Sequence, residues 1–171
     1  MANINWFIPF SYAGLSAPTY GNWGGPGYSG GSFLPGGTAP AVDPLDALFE
    51  RHDEGDLSDV GLVSAIADLK PNAVDAEGDV YGGLAALVVL ALADPGELAT
   101  LSPKELKHDV RSAFHDIELG LKHLPEQDVA ALGALVESQG SSLLPIVEAA
   151  VEDLSTLAQV HLPKHGFDLF L

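Results

Sequence analysis

The pattern of the chain changes at Asp43. From there on, apolar residues recur at spacings of three and four, the mark of helices that bury one face. The first such run is "DPLDALFERHD", where Asp43 is placed to cap and Pro44 to occupy the first turn. Leu45, Leu48, Phe49 and His52 share one face of that helix, so the histidine points where the leucines point, toward the interior. Asp53 lies about 100° around the axis from it. Further helices are predicted at about 58–69, 73–93, 103–122, 126–138 and 142–160, broken by "KPN", "DPGE", "LPEQD" and "QGSS" and followed by the "LPKHG" tail. In the later ones Leu132, Leu135, Val136, Leu143, Ile146 and Val147 stand at helical spacing and read as core. The longest apolar run, "GGLAALVVLALA" at 82–93, falls well short of the roughly 20 residues a spanning helix needs. It reads as a buried core helix, and the chain as not transmembrane. With almost no strand signal, the expected class is mainly α.

Residues 1–42 differ in kind. They hold nine of the 19 glycines and no charged side chain, yet Trp6, Phe7, Phe10, Tyr12, Tyr20, Trp23, Tyr28 and Phe33 give them anchors that a disordered tail would lack. The segment reads as irregular, ordered coil wrapped around a helical body. Two regions are expected: 1–94, a core with its N-terminal coil, and 95–171, a helical extension packed on it.

Charge narrows the partners. Twenty-four acidic residues against seven basic ones give a formal net charge of −17, which argues against nucleic acid and against strongly anionic membranes. With no cysteine, packing rather than disulfides must hold the fold. The opening "MANINWFIPFSYAGLS" lacks the basic start and clean apolar stretch of a secretory signal, so any export is expected to use another route.

The glycine-rich stretch "GNWGGPGYSGG" at 21–31 asks what needs so much bare backbone. A hard cation such as calcium takes six to eight oxygen ligands, and a loop whose carbonyls can turn inward supplies several. Asp53 is placed to add a carboxylate. Beside it, a neutral His52 is placed to take a proton from water while a cation polarises a carbonyl. Together the loop, Asp53 and His52 read as a hydrolase site.

These residues resemble a known family. "WGGPG" at Trp23 to Gly27, followed after a spacer by "DALFERHD" at 46–53, is similar to the aromatic-x-Gly-x-Gly loop and His-Asp helix of calcium-dependent phospholipase A2. The Gly-Pro-Gly form, and an aspartate six residues before the histidine, resemble the parvoviral-capsid type; the tryptophan resembles the bee-venom type. The resemblance covers residues 20–56, extending at most to 93. It implies calcium held by the carbonyls of Trp23, Gly25 and Gly27 and the carboxylate of Asp53, with the Gly25 N–H assisting the oxyanion. It also implies His52 as the base that activates water on the sn-2 ester of a glycerophospholipid, and an aspartate on an antiparallel helix to orient it, Asp79 or else Asp75. Where the family often has tyrosine, four residues past the histidine, this chain has Asp56. A site with so few carboxylates implies weak calcium binding, about 10⁻⁴ to 10⁻³ M, and hence a lipid-degrading enzyme active after release or delivery to a calcium-rich compartment.

Other readings stand beside this one. Asp75 and Asp79 are also suited to a helix start. The pairs His108-Asp109 and His115-Asp116 read as surface or capping residues, and His123, His161 and His165 carry no assigned chemistry. The alternative functions are a non-enzymatic calcium- or partner-binding module on a phospholipase A2-like scaffold, and a structural protein whose glycine-rich arm mediates assembly.

Overall fold

The structure is a computed structural model and describes residues 4–12, 15–33 and 36–139. The helix expected at 142–160, with Leu143, Ile146 and Val147, lies outside the described residues, as do His161 and His165. In chain order the elements are β1 (Ile4–Tyr12), β2 (Leu15–Tyr20), β3 (Tyr28–Ser29), β4 (Ser32–Phe33), α1 (Pro44–Asp53), α2 (Asp59–Ala67), α3 (Ala76–Leu92), α4 (Pro95–Leu98), α5 (Pro103–Leu121) and α6 (Glu126–Gln139). The protein is mainly helical.

Local chemistry sets the helix starts. Asp43, Ser58, Asp75, Asp94 and Ser102 each turn a side-chain oxygen onto a backbone N–H of the following first turn, and Pro44, Pro95 and Pro103 fill first-turn positions where no N–H is needed. Ser102 and Glu105 complete a reciprocal capping box. α3 therefore begins after the Asp75 cap, three residues later than its periodicity suggests. The short α4 was not expected from the apolar pattern; its Asp94–Pro95 start carries it.

The N-terminal segment corrects the expectation of irregular coil. β1 and β2 pair antiparallel, Ile4 opposite Tyr20 and Tyr12 opposite Leu15, with the register broken between Asn5 and Phe10. Pro9 and Pro18 fall in that break, and neither can donate to a ladder. That interruption hides the strand signal in the sequence. β3 and β4 form a minimal hairpin across Gly30 and Gly31, both at positive φ (59° and 81°), as a two-residue turn of this hand demands.

One core joins the elements. Leu45, Leu48 and Phe49 of α1 meet Leu62, Val63 and Ile66 of α2, Tyr81, Leu87 and Leu90 of α3, and Leu106, Val110, Ala113 and Ile117 of α5. α3 and α5 approach closely at two glycines: a Cβ on Gly83 would sit 2.5 Å from the Ala113 carbonyl, and one on Gly120 2.6 Å from the Ala76 carbonyl. Asp109 is not a surface residue. It is buried on α5 and accepts a 2.7 Å hydrogen bond from the Ser64 hydroxyl of α2, while the adjacent His108 stays exposed, 3.7 Å from Asp68. α6 adds a smaller cluster, in which Leu132, Leu124 and Val80 pack with Trp6. Among the described residues no helix is long and apolar enough to cross a membrane.

Candidate functional site

The glycine-rich coil is fastened to α1 by one carboxylate. Asp46, fully buried, accepts from the backbone N–H of Trp23 (2.8 Å) on Oδ1 and from those of Asn22 (2.9 Å) and Val42 (3.0 Å) on Oδ2. Three donors of a charge-free coil are thereby paired on one carboxylate, that of Trp23 in the interior and those of Asn22 and Val42 nearer the surface. Gly21 is part of the same device: at φ 54°, a Cβ there would lie 2.4 Å from the Asp46 carboxyl carbon. The indole of Trp23 donates to the Ala39 carbonyl (2.9 Å), and the Tyr20 ring stacks on Tyr81 of α3 with centroids 5.0 Å apart. The Tyr81 hydroxyl donates in turn to the Pro18 carbonyl.

Fastened in this way, the coil and α1 face one cavity. It has a volume of about 480 Å3, and Trp23, Gly25, Pro26 and Gly27 line it together with His52 and Asp53. Gly25 and Gly27 are both at positive φ (135° and 67°), and the Gly25 carbonyl accepts the Tyr28 N–H at 3.1 Å, which leaves it a second lone pair. The four expected calcium-site residues, Trp23, Gly25, Gly27 and Asp53, are thus brought to one cavity with His52.

His52 has a partner the sequence did not suggest. Its Nε2 lies 2.8 Å from Oδ1 of Asp59, and its Nδ1 lies 3.7 Å from Oδ1 of Asp53. Asp59 opens α2, and Gly55, at φ 85°, lets the chain double back so that this first turn meets the end of α1. A serine cap followed by an acidic first turn is the only sequence signal for it. Asp53 and then Asp59 raise the His52 pKa to about 9, against partial burial that lowers it. At 3.7 Å Asp53 acts mainly as a charge across a gap, whereas Asp59 makes the hydrogen bond. In the metal-free protein His52 is therefore an imidazolium at neutral pH. Its pKa is raised on folding, so it adds stability below about pH 6.5 that is lost as pH rises through about 9. Solvent screening of a half-buried group limits that to about 1 kcal/mol. Asp59→Asn should move the His52 titration, followed by imidazole NMR on metal-free protein, back toward its ordinary value and flatten this pH dependence.

Asp79 and Asp75 are placed elsewhere. Asp75 caps α3, accepting from the Gly78 N–H at 3.0 Å. Asp79 lies on α3 among Asp75, His115 and His123, and burial with the Asp75 charge pushes its pKa up. It also faces Asp116 of α5, which burial and Asp79 together push up to about 6. Neither aspartate is hydrogen-bonded to His52; the carboxylate that holds the imidazole is Asp59.

Among the described residues no group of three or more His, Asp or Glu side chains is placed to hold a metal ion, so a cation here would depend on main-chain oxygens. Compared with known proteins, the chain matches no family model, no curated protein and no solved structure.

Proposed function

We propose that the protein is a calcium-dependent phospholipase A2-like hydrolase that cleaves the sn-2 ester of glycerophospholipids with water activated by His52. The observation that carries this reading is the shared cavity: the Trp23–Gly27 loop, His52 and Asp53 line one space whose remaining walls are mostly apolar. Hard oxygen donors suit calcium. The carbonyls of Trp23, Gly25 and Gly27 and the Asp53 carboxylate would hold the ion, and when bound it would polarise the ester carbonyl and balance the developing oxyanion.

The chain's own groups do the rest. In the neutral imidazole, which a calcium ion on Asp53 would favour by offsetting the carboxylate charge that raises the His52 pKa, Asp59 at Nε2 would fix the tautomer with its proton there and leave the Nδ1 lone pair as the acceptor for a proton from water. As that proton arrives, Asp59 stabilises the imidazolium, the role the resemblance had offered to Asp79 or Asp75. Trp23, Phe49 and Tyr81 line the same space and reduce the water around the reacting ester.

The raised His52 pKa favours a second reading, because a histidine already protonated at neutral pH is no base. On that reading the chain is a calcium- or partner-binding module on the same scaffold. Phosphatidylcholine with a fluorescent sn-2 chain separates the two: the hydrolase releases the labelled fatty acid with calcium and not with chelator, and the binding module does not release it at all.

A further inference from the structure

Aspartate 128 and Trp6 hold an element that the site described so far does not use. The Trp6 indole N–H donates to Oδ1 of Asp128 at 3.1 Å, joining β1 to α6 across 122 positions of sequence, and Asp128 is almost fully buried there. The Trp6 ring packs in the cluster of Val80, Leu124 and Leu132. The same ring, with Leu132 and Leu135 of α6, lines the cavity that holds His52 and Asp53. α6 is thus a wall of the candidate site, and a hydrogen bond to the N-terminal strand holds that wall in place.

The chemistry of the lining defines what fits. Among the described residues, the charged and imidazole groups of the lining come from His52, Asp53 and Asp59, at the end of α1 and the start of α2. Along α3 the cavity meets Val80, Tyr81, Leu84, Val88 and Leu92 in succession. Leu92 remains 47% exposed and marks an open rim. A mostly apolar lining with its ionisable groups gathered in one part suits an amphiphile with a carbonyl and a flexible alkyl tail.

We infer that α6 is a specificity wall: Leu132 and Leu135, held by the Trp6–Asp128 hydrogen bond, set the length of the alkyl chain the cavity admits. This rests on the reading of the cavity as an acyl-ester site. Leu132 and Leu135 are specificity-determining residues, and Trp6 and Asp128 are positioning residues that act through them. Each methylene given room to be buried is worth about fourfold in affinity, so the wall shows itself as a chain-length cutoff.

The test is displacement of a fluorescent fatty acid from the metal-free chain of residues 1–171 by saturated fatty acids of even length, from octanoic to stearic. The wild-type series should gain affinity with length up to a cutoff. Leu135→Ala should move that cutoff up by about two carbons and Leu135→Phe should move it down, each with a selectivity change of about tenfold between neighbouring long chains. Leu135 is only half-buried, so these variants spare the core where Leu132 sits. Asp128→Leu should blur the cutoff, and Asp128→Asn, which keeps the acceptor for Trp6, should restore it. Binding with an unchanged cutoff in both Leu135 variants, or no displacement by any fatty acid, overturns the inference. Because the assay needs neither calcium nor turnover, a shifted cutoff without hydrolysis leaves the wall standing and removes the hydrolase.

Discussion

Asp46→Ala should cost about 2–4 kcal/mol, since it strands the buried N–H of Trp23 at about 1–3 kcal/mol and the partly buried N–H groups of Asn22 and Val42 at less, where water can reach them. Against a total of about 5–15 kcal/mol for an ordinary domain, that is enough to detach the glycine-rich coil or unfold the chain. The residue is fully buried, and the coil it holds supplies no charged group of its own to replace it. Urea unfolding followed by tryptophan fluorescence reads both results, because Trp23 is one of the three residues whose N–H is bonded. Asp46→Asn keeps an acceptor for part of the network and should fall between alanine and wild type. A midpoint for Asp46→Ala within error of wild type would mean that the coil is held by something else.

His52→Gln should lower calcium-dependent hydrolysis by at least about a thousandfold, within the usual contribution of a general base together with the imidazolium that Asp59 stabilises. Glutamine keeps an amide near Asp59 but cannot take up a proton. The calcium ligands proposed here do not include His52, so calcium affinity by calorimetry should stay within a few-fold of wild type. Loss of both activity and calcium binding would point to a collapsed site rather than a missing base.

How much of this could be read in the sequence differs from one element to the next. Helices α1, α2, α5 and α6 were legible from apolar spacing, joined at Asp43-Pro44 and Ser102-Pro103 by a capping residue and a first-turn proline and at Ser58 by a cap alone. The β1–β2 pair was not legible. Its alternation is cut by Pro9 and Pro18, and the pairing depends on contacts that only the folded chain supplies. In the candidate site, the pairing of the glycine-rich loop with His52 and Asp53 was expected from the residues, and the positions Trp23, Gly25 and Gly27 within that loop from the family resemblance; all five line one cavity. Asp59 was not, because it reaches His52 through a reversal at Gly55 that no periodicity encodes. Asp46 was noticed only as part of a motif. Nothing in the sequence indicates that an aspartate next to Leu45 would be buried and would gather N–H groups from a coil more than twenty residues upstream.

Release of labelled fatty acid from sn-2-labelled phosphatidylcholine vesicles, in millimolar calcium and in chelator, decides whether loop carbonyls and Asp53 hold calcium beside a histidine able to activate water. Release should depend on calcium and disappear when the ion is removed. No release at any calcium concentration, or release unchanged by chelator, would contradict that arrangement.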